Sequence, residues 1–160
     1  MIVQKDDVST TLVLMHTAEP LALDAWDSYQ RMRARLSARI ARELTSASGL
    51  SEADYEILGA LVDEDGPVRP VALGQCLDWE KSRLSHQLRR MEQRGLIIRT
   101  SCVEDGRGQE ITISAAGREA HSTAKAAYDD AVCRYVTSTL SDEQLVQLRG
   151  IAETVLPHLD

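Results

Sequence analysis

Lys81, Ser82, Arg83, Ser85, His86, Arg89 and Arg90 crowd hydrogen-bond donors and positive charge into ten consecutive residues. Wound at about 100° per residue, the stretch puts Ser82, His86, Arg89 and Gln93 on one side and Leu84, Leu88 and Met91 in a narrow stripe on the other. Arg83, Ser85 and Arg90 flank the polar side. Such a helix packs by one face and presents the other, and its donors are of the kind that phosphate oxygens and base edges accept in a nucleic-acid groove. Asp78 is placed to cap this helix, and Glu80 in the first turn suits the positive end of its dipole.

Gly95 stops the helix where positive φ is usually needed, and Leu96, Ile97, Ile98 and Arg99 then read as a short strand. From Gln109 to Ser114, Glu110, Thr112 and Ser114 alternate with Ile111 and Ile113, the period of a half-buried strand. Glu104, Asp105, Gly106, Arg107 and Gly108 form the hairpin tip between the strands and carry one arginine outward. The run Trp79 to Ser114 therefore predicts a winged helix-turn-helix that reads double-stranded DNA.

The rest of the chain must position that reading head. Leu23, Trp26, Met32, Leu36, Ile40 and Leu44 recur at helical spacing and predict a long helix from about Ala22 to Ala47, ended by Gly49, whose other face is rich in arginine. Ser51 with Asp54 makes a capping-box-like start to a second helix through Tyr55, Leu58, Leu61 and Val62, stopped by Asp65, Gly66 and Pro67. Pro70 opens a short helix, Val71 to Leu77, the first of the helix-turn-helix pair. Ala115 to about Thr139 reads as a long alanine-rich helix. Ser141 with Gln144 then caps a final helix lined by Leu145, Leu148, Ala152, Val155 and Leu159.

The expected fold is mainly α with a small β-hairpin wing (α+β), a single domain over 1–160. Residues 1–21 are an arm or short added helix, 51–114 the winged helix-turn-helix, and 22–47 with 115–160 the dimerisation helices. The terminal helices offer more apolar face than one small core needs, which a two-fold homodimer would bury.

Net charge is −7 over 160 residues, which taken alone opposes nucleic-acid binding. Its distribution points the other way: Lys81 to Arg107 holds seven basic against three acidic residues, a local +4, and leaves −11 on the remainder. No apolar run approaches the roughly 18 residues of a membrane span, and no basic region followed by an apolar stretch opens the chain, so a cytoplasmic protein with no membrane partner is expected. Cys76, Cys102 and Cys133 stand singly, so neither a disulfide framework nor a zinc ribbon is indicated, and burial is their default. No G-x-G-x-x-G, P-loop, H-E-x-x-H or G-x-S-x-G string occurs, and His16, His86, His121 and His158 have no ligand spacing. Neither catalytic residue, cofactor nor metal ligand is expected. Three alternatives stay open: a cysteine-based redox-responsive regulator, with Cys133 pairing across a two-fold axis, a metal-responsive regulator of the same fold, and a protein-binding winged helix.

From about Ala22 to the C-terminus the chain resembles the MarR family of bacterial transcription regulators. The string Ser85, Leu88, Met91, Gly95, Leu96, Ile97, Arg99, Asp105, Arg107, Gly108, Ile113, Ser114, Gly117 carries the resemblance. It is similar to the family's recognition helix, its D-x-R-[GA] wing motif and the L-T-x-x-G-type segment that opens the next helix. The resemblance implies that Ser82, Arg83, Ser85, His86 and Arg89 face the groove, with Lys81 and Arg90 of the same basic helix as further DNA-binding candidates, that Arg107 enters a minor groove, and that Asp105 and Gly108 hold the wing in shape. It also implies a homodimeric repressor on an inverted-repeat operator, released by a small, often aromatic, effector. Trp26, Tyr29, Met32 and Tyr55 are the candidate pocket residues, with simple core as the competing reading. Gly106 stands where the family often carries a basic residue, and Glu104 adds negative charge nearby.

Overall fold

In the computed structural model, which describes residues 7–64, 66–101 and 108–159 with side chains from residue 20 onward, helix α1 runs Asp7–Ser48. It begins well before the expected Ala22, because the segment ahead holds no glycine and Pro20 is accommodated inside the helix at the loss of one N–H bond. The chain divides into two compact units, Met1–Arg39 and Ile40–Asp160.

In the first unit Leu21, Leu23, Trp26, Tyr29 and Met32 are all exposed, and the Trp26 and Tyr29 rings lie 5.5 Å apart. The second unit holds the remaining elements: α2 (Glu52–Val62), α3 (Pro70–Cys76), α4 (Lys81–Gln93), β1 (Ile97–Ser101), β2 (Gln109–Ile113), α5 (Ala115–Val132) and α6 (Asp142–Val155). The described residues thus form a mostly helical fold with one two-stranded antiparallel hairpin, the winged helix-turn-helix architecture expected.

The caps legible in the sequence form as hydrogen bonds. Gly49 ends α1 at φ +69°, its N–H donating to the Thr45 carbonyl at 2.9 Å. The Ser51 hydroxyl accepts from the Asp54 N–H at 3.1 Å while the Asp54 carboxylate accepts from the Ser51 N–H at 2.9 Å, closing the capping box of α2. Ser141 and Gln144 do the same for α6.

One cap differs. Asp78 does not start α4 but sits at φ +50° in the turn after α3, and Glu80 occupies the cap position without a side-chain bond. The sharp reversal between the two helices needs a left-handed residue, and aspartate is among the few side chains that tolerate one. The Trp79 N–H closes the turn on the Gly74 carbonyl at 2.9 Å.

Apolar side chains from every element of this unit up to β2 meet in one core. Leu44 and Leu50 flank the end of α1, Ile57, Leu58 and Leu61 come from α2 and Leu73 from α3, all at most 2 % exposed. Leu84, Leu88 and Met91 bury the stripe of α4 against them. Ile97 pairs with Ile113 and Arg99 with Ile111 across the hairpin, which places Ile111 and Ile113 on the core face. On its other edge Ile111 exchanges two 2.9 Å backbone bonds with Val68.

Ser114 joins hairpin to helix. Its hydroxyl accepts from the Gly117 N–H at 2.9 Å and donates to the Gly95 carbonyl at 2.6 Å. A Cβ on Gly117 would overlap the Leu96 carbonyl oxygen, so only glycine lets α5 begin this close to the hairpin. Instead of staying α-helical to Thr139, α5 passes into a π turn, Cys133–Thr137, with the Ser138 N–H reaching back to the Cys133 carbonyl at 2.9 Å. Helix α6 then buries no residue.

Candidate nucleic-acid interface

All seven candidate contact residues of α4 are exposed: Lys81, Ser82, Arg83, Ser85, His86, Arg89 and Arg90. The helix is pinned from beneath by its apolar stripe, so they share one outward surface.

Several are held in place. The Arg83 guanidinium lies 3.7 Å over the ring of buried Trp79, a cation–π contact that ties a cation to the turn. Arg89 Nη2 lies 2.8 Å from His86 Nδ1. A guanidinium can only donate, so Nδ1 accepts and Nε2 carries the ring hydrogen, leaving a donor on exposed His86. Arg90 Nη2 donates to the side-chain Oε1 of Gln87 at 2.8 Å.

Two of the basic residues counted in the local +4 are committed to carboxylates, Arg94 at the surface and Arg99 largely covered. Arg94 donates to Asp54 at 2.7 Å and to the Gly49 carbonyl at 2.8 Å, joining the end of α4 to the start of α2. Arg99 sits 3.4 Å from Glu92 and donates to Gln109 at 3.3 Å across the hairpin. Among the described residues of this segment, the basic side chains left without a carboxylate partner are Lys81, Arg83, Arg89 and Arg90.

Asp54 and Gln87 are the residues that sequence reasoning missed as supports beneath this surface. In the sequence Asp54 reads only as a cap, yet it is 1 % exposed and also accepts from Gln87 Nε2 at 2.6 Å. Burial alone would raise its carboxyl; hydrogen bonds from Ser51 and Arg94 and the arginine's charge outweigh it and hold the group below its ordinary value. A signal for Gln87 existed: it falls at the third position after Leu84 and the fourth before Met91, on the buried stripe, where an amide needs partners.

Of the wing, Gly108 is half-buried at the foot of β2, while Asp105 and Arg107 lie outside the described residues, as does Cys102. Cys76 and Cys133 are exposed, contrary to the expected burial. Cys76 ends the short α3 and Cys133 starts the π turn, and neither position faces the core. Hydrogen bonds from Ser138 and Thr137 stabilise the Cys133 thiolate and lower its pKa.

The candidate pocket residues divide between the units. Trp26, Tyr29 and Met32 are exposed in the first. Tyr55, in the second, is half-buried and stacks on His121 at 5.1 Å and on Tyr128 at 5.4 Å. Sequence reasoning missed His121 and Tyr128 as its neighbours, although they recur one heptad apart on α5. Burial lowers the His121 pKa, outweighing the opposing charge of Asp63, while Lys125 acts in the same direction as burial. Among the described residues no three His, Cys, Asp or Glu side chains converge as a metal site, and no helix is long and apolar enough to cross a membrane.

Comparison with known proteins bears on what this surface does. The MarR family model matches residues 48–108, from the end of α1 to the foot of β2. The structure is similar to that of AbsC, a MarR family transcriptional regulator from Streptomyces coelicolor, at 30% identity and TM-score 0.77, covering 86% of this chain and 93% of that one. It is also similar to Sco3205, a MarR family transcriptional regulator from the same organism solved in complex with DNA, at 28% identity and TM-score 0.77, covering 85% and 89%. The MepR–DNA complex of S. aureus shares the fold at 19% identity and TM-score 0.72, covering 82% and 95%. A comparison with curated protein sequences finds no match.

Proposed function

The chain belongs to the MarR family of transcription regulators, and from that premise we propose that it acts as a homodimeric repressor on an inverted-repeat operator. The observation that carries this reading is the outward face of α4: seven exposed polar or basic residues on a helix whose opposite stripe is at most 3 % exposed. A helix so held can enter a major groove without unpacking, and the complex of Sco3205 with DNA supports DNA as the partner here.

In this reading Lys81, Arg83 and Arg90 contact phosphates, while Ser82, Ser85, His86 and Arg89 stand nearest the base edges. Arg107, with Asp105 and Gly108 shaping the wing, reads a narrow minor groove. Two heads in a two-fold dimer then meet half-sites about one helical turn apart. Support for the dimer comes from α6, where Val146, Ile151 and Val155 are between 48 % and 63 % exposed. The effector class we propose is a small aromatic compound.

The test is a fluorescence-anisotropy titration against the gene's own upstream intergenic duplex and a shuffled duplex at two salt concentrations. We expect preference for the native duplex and affinity that falls steeply with salt as condensed counterions are released. Arg89→Ala with Arg107→Ala should abolish that preference with the thermal midpoint unchanged. Equal affinity of this double variant and the native protein would refute the assignment.

A further inference from the structure

Gln87 occupies a position that helical spacing assigns to the core, between Leu84 and Leu88 on the buried stripe of α4, and it is 7 % exposed. An amide there is unfavourable unless both its ends are paired, because it gives up hydrogen bonds to water. Both are paired, and in one direction only. Nε2 donates to Asp54 Oδ1 at 2.6 Å, and Oε1 accepts from Arg90 Nη2 at 2.8 Å.

The direction follows from the chemistry of Asp54. Its second oxygen, Oδ2, accepts from the Ser51 N–H at 2.9 Å, the Ser51 hydroxyl at 2.8 Å and Arg94 at 2.7 Å. The three donors on Oδ2, one of them a guanidinium, favour the ionised form, and an ionised carboxylate can only accept. Gln87 must therefore turn its NH2 inward and its carbonyl oxygen outward. That oxygen is then an acceptor at the foot of Arg90, three residues on and one turn along the same face.

We propose that Asp54 and Gln87 are positioning residues for DNA reading: through the orientation of one buried amide, the capping carboxylate of α2 presents the Arg90 guanidinium to the DNA backbone. The inference rests on the DNA-reading function proposed above. Arginine has five donors in a rigid fork, and committing one to Gln87 leaves the others outward with part of the side-chain entropy already lost before DNA arrives.

A purely structural Gln87 would weaken DNA binding equally in every background, and a positioning Gln87 acts through Arg90 alone. Full-length Gln87→Met, Arg90→Ala and Arg89→Ala and the two double variants containing Gln87→Met are titrated against the upstream duplex, with thermal midpoints measured alongside. Methionine keeps the volume and removes both hydrogen bonds. We expect Gln87→Met to weaken binding about tenfold in the native background, to add nothing beyond Arg90→Ala, and to retain its full effect beside Arg89→Ala. Asp54→Asn, whose amide can donate as well as accept, should show the same dependence on Arg90. Unchanged affinity of Gln87→Met, or an equal loss with and without Arg90, overturns the positioning role while leaving the function standing. Failure of the native protein to prefer its duplex overturns both.

Discussion

Helices α4 and α6 are built to the same sequence rule and meet opposite fates. Each carries apolar residues at helical spacing behind a polar start. In α4, Leu84, Leu88 and Met91 are at most 3 % exposed, whereas in α6 Val146, Leu148, Ile151 and Val155 range from 39 % to 63 %. Amphipathic periodicity says that a face seeks cover; it does not say whether the cover lies in the same chain. The core of α1, α2, α3 and the hairpin supplies it for α4. For α6 we assign it to a second copy.

Truncating each face breaks or sustains this contrast most directly. Leu88→Ala should destabilise the protein by about 3 kcal/mol, through lost burial and the cavity left behind. Ile151→Ala, at concentrations below dissociation of the proposed dimer, should stay within about 0.5 kcal/mol. Chemical denaturation reads both, and comparable losses would erase the distinction.

Gly117→Ala probes the joint by which the packed region begins α5. Because a methyl there meets a backbone oxygen that no rotamer change can move, we expect a loss of about 2 kcal/mol, visible as a lowered thermal midpoint. A neutral result would mean that α5 can shift away from Leu96 at no cost.

Placing a charge on the uncovered face addresses the other side. Ile151→Glu should leave the far-ultraviolet dichroism intact and weaken self-association by about tenfold or more in sedimentation equilibrium, roughly 1.4 kcal/mol. An unaltered sedimentation profile would assign that face to something other than a second copy.

The smallest effects are those of pH, and they belong to the packed region. Asp54 is held below its ordinary value, so its contribution to stability is complete above about pH 4 and is lost as pH falls through the lowered folded-state value. Asp54→Asn should flatten the acid limb of the stability curve. His121 is also lowered, by burial, but here the neutral form is the one the fold accommodates. The unfolded chain takes up a proton as pH drops past about 6.5 while the folded chain resists, so stability declines below that pH. His121→Phe, which preserves a ring beside Tyr55, should remove that decline in denaturation curves measured between about pH 7 and pH 5.

Much of the fold was legible from local patterns. The capping boxes at Ser51 and Ser141, the stop at Gly95, the alternation of Ile111 and Ile113 and the segment from Ser114 to Gly117 each depend on residues a few positions apart, and each forms as read. The exposed face of α4 was legible for the same reason. Asp78 was misplaced because cap and left-handed turn residue draw on the same short polar side chains. Cys76 and Cys133 were misplaced because a burial prior for a residue type ignores which face it lands on.

By itself the sequence determined the elements, their caps and the polarity of each face, since these follow from contacts within one or two helical turns. Only the tertiary structure decided which charges are left to act. Arg94 meets Asp54 across 40 residues and Gln87 meets it across 33, so one surface cation is paired with a buried carboxylate and a buried amide is given a direction. Hydrogen bonds are directional and short, and no periodicity along the chain records which distant partner will stand within about 3 Å.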